Sequence, residues 1–363
     1  MSIIIIIATL SFLVFIHELG HFLAAKWAGI QVDEFAIGMG PKLVTFYNDG
    51  ETNYTLRILP IGGFVNMLGE NPPAAGENPI ESERSFNSKP PLKRAIVLSA
   101  GIFMNILFGT ILIGIIFTAI GKPDPKPVLQ ISEIATNSPA ESAGLSSGNY
   151  ITGYKLPSDD AFSEDFTGSS FSDFVAANQG NEINLQVKLS VDPKMSAYVI
   201  SLTPRTEVPE GEGAIGISFY ESYEINYVKI KLINVPAETI KASVGLVSAI
   251  FQGLITMLSN LIHGSVPQDI AGPIGVAKLT SDAAKEGIFP LLQVIALISL
   301  NLGIVNLLPF PALDGGRLVF VIFEGITRKK ILAKYEGWLH TIGFVLLMIL
   351  VLVLSYFDIQ RFF

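Results

Sequence analysis

The chain contains no cysteine. That absence excludes a disulfide framework, a thiolate-held metal and a thiol nucleophile, so any metal site must be built from histidine, aspartate or glutamate. Charge is also scarce: 15% of the 363 residues are Asp, Glu, Lys or Arg, the formal net charge is -8, and no tract is dense in Lys and Arg. A nucleic-acid partner is excluded on that ground, because neutralising several phosphates requires clustered positive charge. What the chain has in excess is apolar. Hydrophobic residues make up 50% of it and the mean hydropathy is +0.50, values of a membrane protein and not of a soluble globule.

The first apolar run, Ile3 to Ala25, is interrupted only by His17, Glu18 and His21. As a helix it reaches about 34 Å, enough to cross the hydrocarbon core. No basic residue precedes it, so it is expected to be a retained span and not a cleaved signal peptide. Three further stretches lack any charged residue and are long enough to cross: Ala95 to Ile120, Gly287 to Leu313 and Gly337 to Phe357. Lys26, Lys89, Lys93, Arg94, Arg328, Lys329, Lys330 and Lys334 flank these spans on what should be the cytoplasmic side. Both termini and the long segment between Gly121 and Glu286 then lie outside. Ala242 to Ile262 is also uncharged, but Ser248, Gln252, Thr256 and Ser259 or Asn260 recur on one helix face, which predicts a helix lying along the interface.

Within the first span, His17-Glu18-Leu19-Gly20-His21 reads H-E-x-x-H. Four residues are about one helical turn, so both imidazoles leave the same face and can hold one tetrahedral Zn²⁺. Glu18 is placed to act as the base that takes a proton from the attacking water. Three ionisable groups within five residues of an apolar span are costly unless a metal or a wet cavity compensates them. A third protein ligand is needed. Of the other histidines, His263 follows the interfacial segment and His340 sits at the start of the last span, where a role at the membrane boundary beside Trp338 suits it better. Asp314 is the stronger candidate. It follows Asn306-Leu-Leu-Pro309-Phe-Pro311-Ala-Leu313, whose two prolines break the helix and free backbone groups that are tolerated at membrane depth only inside protein or water. Taken alone, Asp314-Gly315-Gly316 is a turn at a span exit. If Asp314 is to meet the histidines, the first and third spans must run in the same direction. That requirement also excludes a fifth crossing at Ala242.

At these residues the chain resembles the site-2 protease family of intramembrane zinc metalloproteases, of the bacterial regulator-of-sigma-E type with one PDZ domain. The likeness extends over nearly the whole chain and rests on the order of three motifs: His17-Glu18-Leu-Gly-His21, Gly272-Pro273-Ile-Gly275, and Asn306-x-x-Pro309-x-Pro311-x-Leu-Asp314-Gly. The resemblance implies that His17, His21 and Asp314 are the zinc ligands, that Glu18 activates water, and that Asn306 holds substrate or stabilises the oxyanion. It implies a β-rich loop dipping into the membrane after the first helix, around Gly38-Met-Gly40-Pro41 and Tyr54 to Val65, whose edge receives an extended substrate. Where the family carries Ala-Gly-Pro in its second span, this chain reads Ala100-Gly101-Ile102, with Asn105 following.

Between Pro127 and Pro204 the pattern predicts strands at 128–134, 150–154, 183–189 and 198–202, with helices near 138–145 and 171–178. This segment resembles a circularly permuted PDZ domain. The expected fold is a polytopic α-helical membrane protein of about four transmembrane helices, with a membrane-associated β-hairpin loop and an inserted α/β PDZ-like domain. Its divisions are a membrane core at 1–120, the PDZ-like domain at 121–206, interfacial helices at 207–286 and a second membrane core at 287–363. The resemblance further implies the bacterial inner membrane as location. Its implied substrates are single-pass membrane proteins, such as an anti-sigma factor, or remnant signal peptides. A non-catalytic membrane-bound adaptor or zinc-binding protein is the alternative, against which the intact Glu18 argues.

Overall fold

The structure, a computed structural model, describes residues 2–70, 82–163, 166–192, 194–263, 272–329 and 333–362. It divides into two compact units, one formed by Met1–Ala119 with Lys231–Phe363 and the other by Ile120–Ile230.

The first unit opens with helix α1 (Ser2–Ala28), which stops where Gly29 takes a left-handed φ of 72° and the Ile30 N–H reaches back to the Ala25 carbonyl. Strands β1 (Val32–Asn48) and β2 (Asn53–Met67) follow. Each folds back on itself midway, β1 at Gly38 and Gly40 and β2 at Gly62, all with φ above 80°, a conformation open to glycine without strain. The register shows the result. Residues 32–37 pair with 63–67 on one side (Val32 opposite Met67, Ile37 opposite Gly63), and Glu34 to Ile37 also advance alongside Asn53 to Leu56. Residues 42–48 close the far side against 53–57. The segment 63–67 is therefore an edge, and no strand among the described residues pairs its other side. Phe35 packs edge-to-face on Phe15 and Phe22 of α1, so the hairpin lies along that helix.

Helix α2 (Pro91–Ala119) begins with proline at a first-turn position and runs without interruption through Ala100-Gly101-Ile102. It packs antiparallel to α1: Phe12 meets Phe108, and a Cβ at Gly20 would lie 2.4 Å from the Ala100 carbonyl oxygen. Only glycine allows so close an approach.

The second unit carries β3 (Lys122–Ile134), α3 (Pro139–Ser142), β4 (Tyr150–Lys155), α4 (Gly168–Ala177), β5 (Ile183–Lys188), β6 (Tyr198–Leu202) and β7 (Ile217–Val228). One antiparallel sheet has the order β6-β5-β4-β3-β7. Period-two alternation on β5 buries Ile183, Leu185 and Val187 completely against Leu129, Ile151, Phe166 and Phe171. Ser138 caps α3, and Thr167 caps α4 in a reciprocal pair with Ser170. The four expected strands are present. The boundary expected at 206 is corrected: β7 pairs along the whole of β3, so the unit runs on to Ile230. β7 alternates Tyr223, Ile225 and Tyr227 with Ser222, Glu224 and Asn226, and most of the strand is exposed.

The chain returns to the first unit with α5 (Val235–Ile262), α6 (Pro273–Glu286), α7 (Ile288–Leu307), α8 (Asp314–Thr327) and α9 (Ala333–Phe362). Among the described residues, α1, α2, α5, α7 and α9 are long and apolar enough to cross a membrane, α5 being the least apolar. α7 packs antiparallel to α2: Ala296 and Leu300 face Gly109, while Gly303 faces Ile102 and Ile106. α1 and α7 therefore run in the same direction, as the placement of Asp314 beside His17 requires. The Gly272-Pro273-Ile-Gly275 segment starts α6, and the buried Asp358 of α9 accepts hydrogen bonds from the Gly272 and Gly275 amides at 3.0 and 2.8 Å. At one end of the unit, Lys93 Nζ donates to the Ala28 carbonyl and Arg94 pairs with Glu324 at 2.5 Å. Of the expected basic flanks, Lys93 and Arg94 thus lie at the end of α1; Lys330 lies outside the described residues.

Candidate metal centre

His17 and His21 stand one turn apart on α1, both more than nine-tenths buried, about 16 and about 10 Å along the helix from its end at Ala28. Asp314 opens α8. It is held there because Gly315 and Gly316 turn tightly over the preceding loop: a Cβ on either would lie within 2.4 Å of the Leu307, Leu308 or Phe310 carbonyl oxygens. In that loop Ala312 takes a left-handed φ of 79°, and its N–H donates to His340 Nδ1 at 2.9 Å. His340 therefore braces the loop that presents Asp314. His263 is exposed at the end of α5 and bonds the Ser259 carbonyl at 2.7 Å.

His17 Nε2 lies 2.9 Å from Asp314 Oδ2 and 3.1 Å from His21 Nε2, and His21 Nε2 lies 3.3 Å from the same carboxylate oxygen. Among the described residues, this is the one group of His, Asp or Glu whose ligand atoms converge in this way. The donor set fits a cation such as zinc. His21 Nδ1 reaches the Val97 carbonyl at 2.8 Å; a carbonyl only accepts, so Nδ1 carries a proton and Nε2 is the nitrogen left to ligate a metal. Gly101 leaves the cradle open, since a Cβ there would lie 2.4 Å from His21 Nε2 and 2.9 Å from His17 Nε2.

Glu18 lines a cavity of about 180 Å³ with His21, Asp314 and Glu70, and the wall opposite is Phe64, Val65 and Met67 of the edge segment. The Gly63 backbone passes close to Glu18: a Cβ there would be 3.7 Å from its Cγ. Glu70 was not singled out by the sequence, where it is one acidic residue after a hairpin with no spacing to mark it. It pairs with Arg317, one turn beyond Asp314. Burial pushes the Glu70 carboxyl above its ordinary value, against the opposing pull of Arg317. Asn306 is half-buried in the last turn of α7 and is not among the residues lining this cavity.

A helical bundle that could span a membrane, with two histidines and a carboxylate converging inside it, defines a membrane protein with a hydrolase-type metal centre. The chain belongs to peptidase family M50, whose family model matches residues 5–350. It is 37% identical to a Clostridium perfringens protein over 98% of each chain. It is 32% identical to the regulator of sigma-W protease RasP of Bacillus subtilis, over 97% of this chain and 96% of that one. The membrane metalloprotease ARASP of Arabidopsis thaliana is 33% identical over 96% of this chain and 76% of its own length.

Proposed function

We infer that this chain is an intramembrane zinc metalloendopeptidase in which His17, His21 and Asp314 hold the metal and Glu18 is the base. The observation that carries the reading is the convergence of those three ligand atoms beside Glu18, in a cavity walled by an unpaired strand edge. Bound zinc would lower the pKa of water and polarise the scissile carbonyl. The chain's own residues supply the rest. Glu18 takes a proton from the attacking water on its carboxylate and delivers it to the leaving nitrogen. A substrate segment unwinds, because helical hydrogen bonds shield its carbonyls, and lies extended along 63–67, where edge amides and carbonyls replace the bonds it gave up. Asn306 is assigned to holding that segment or the developing oxyanion.

Substrates in this reading are single-pass membrane proteins, among them anti-sigma factors, and remnant signal peptides. The name of the B. subtilis relative supports the first. The basic end of the membrane unit is cytoplasmic by the positive-inside rule, in the bacterial inner membrane, and residues 120–230 form an extracytoplasmic PDZ-like domain. Four helices cross. If α5 also crossed, the nine-residue step from His263 to Gly272, which is fastened to Asp358 at the far end of α9, would have to return across the membrane. Fully extended, nine residues reach about 30 Å, no more than the bare thickness of the hydrocarbon core. α5 is accordingly placed at the interface, packed on the last turns of α2.

The test is cleavage of a reporter transmembrane helix by the reconstituted protein. Activity lost on chelation and restored by zinc supports the reading. Cleavage that survives both chelation and Glu18→Gln would leave the non-catalytic adaptor as the better account.

A further inference from the structure

Asn105 is fully buried in α2, on the face toward α1. Its side-chain nitrogen stands 3.1 Å from His17 Nδ1, whereas its Oδ1 is buried without a partner. The backbone there is fixed from the other side: Ser299 Oγ of α7 donates to the Asn105 carbonyl at 2.8 Å, and Gly303 abuts Asn105 Cβ. The amide is thus anchored against the ring, and only its rotation about the last bond is free.

Two proton arrangements of His17 are available, and an amide suits both. In one, Asn105 Nδ2 donates to Nδ1 and the ring donates from Nε2 to Asp314 Oδ2, at the 2.9 Å observed. That form blocks the metal, because Nε2 carries the proton. In the other, the amide is turned over, Oδ1 accepts from Nδ1–H, and the Nε2 lone pair faces Asp314 and His21. Oxygen and nitrogen of a carboxamide exchange places with almost no change in shape, so the second form needs no rearrangement of the helices: Oδ1 takes the place beside His17 that Nδ2 gives up.

We propose that Asn105 is a positioning residue of the metal centre, whose Oδ1 accepts from His17 Nδ1–H and holds the ring in the tautomer that ligates through Nε2. The inference rests on the zinc-site reading above. His21 receives the same service from a fixed acceptor, the Val97 carbonyl, so the two ligands differ in one respect: the partner of His17 can turn. Ligand histidines held by such an outer acceptor typically lose about 10- to 100-fold in metal affinity when it is removed.

The experiment measures zinc affinity of the full-length protein in detergent for wild type, Asn105→Leu and Asn105→Asp, together with ¹⁵N spectra of the histidines in zinc-loaded wild type. Asn105→Asp keeps the acceptor and cannot donate, so it should bind zinc at least as tightly as wild type. Asn105→Leu should bind about 10- to 100-fold more weakly. The His17 signals should show a protonated, hydrogen-bonded Nδ1. The proposal is overturned if Leu binds like wild type, if Asp is as weak as Leu, or if His17 Nδ1 carries no proton; the spectrum decides even where Asn105→Leu does not fold. Wild type that binds no zinc would instead overturn the proposed function itself.

Discussion

Glu18 and Asp314 both line the cavity, yet the account gives them separable roles. Glu18→Gln keeps the volume and removes the base, so cleavage should fall by about 10²- to 10⁴-fold while zinc content is unchanged. Gly101→Ala should do the reverse of a gentle substitution: its methyl group would press on both ligand nitrogens, and zinc content measured after purification should drop although α2 gains helix propensity. Wild-type zinc content in that variant would contradict the assigned cradle. Glu70 and Arg317 make a third residue-scale case. Both are less than a third exposed, and removing Arg317 leaves the buried Glu70 carboxyl without its partner, which costs about 1–3 kcal/mol even where the carboxyl takes up a proton. Arg317→Met should lower the melting temperature sharply, and Glu70→Leu added to it should recover most of the loss. A double variant no more stable than the single one would show that the pair is not the cause.

At the scale of elements, the H-E-x-x-H turn was legible because its chemistry is local. Two histidines four apart on a helix share a face whatever surrounds them, and Asp314 stood out by the two prolines that break the helix before it; pairing it with the histidines then required α1 and α7 to run in the same direction. Glu70 and Arg317 could not be paired from spacing, since 247 positions separate them and only the fold brings them together. The hairpin was legible as glycine-punctuated, but its folding into four paired segments depends on which glycines take positive φ. β7 is a different case: Tyr223, Ile225 and Tyr227 do alternate with Ser222, Glu224 and Asn226, but sequence analysis assigns the segment from 207 to interfacial helices, and the pairing of β7 with β3 is a long-range fact that spacing does not give. Its partner half of β3 carries Pro123, Pro125 and Pro127, which argue against a strand unless it lies at an edge or runs beyond the core.

The hairpin turn also carries a pH dependence. Glu51 bonds Arg84 Nη2 at 2.6 Å and Lys26 Nζ at 3.0 Å, and Arg84 first, then Lys26, holds its carboxyl below the ordinary glutamate value. A depressed folded value means that the stabilisation is fully present above the unfolded pKa and is lost as pH falls through the folded one. Amide exchange over 32–67 should therefore quicken, relative to its intrinsic rate, as the solution is taken into the acid range. In Glu51→Gln that step should shrink, and an identical step in both proteins would remove Glu51 from the explanation.

At the scale of the whole molecule, the chain is one membrane unit interrupted by a contiguous insert, Ile120–Ile230, with its own core. An insert of that kind should fold by itself. Expressed as residues 120–230, it should melt cooperatively, and Leu185→Ala, at a fully buried position, should cost about 2–5 kcal/mol; a fragment without a cooperative transition would tie its stability to the membrane unit. The membrane unit is where the chemistry resides, and its central claim is the division of labour between ligand and base. The most direct measurement is zinc stoichiometry and reporter-helix cleavage on the same preparations of wild type, Glu18→Gln and Asp314→Ala. The account predicts zinc and cleavage in wild type, zinc without cleavage in Glu18→Gln, and neither in Asp314→Ala; full zinc occupancy with cleavage in Asp314→Ala would contradict it.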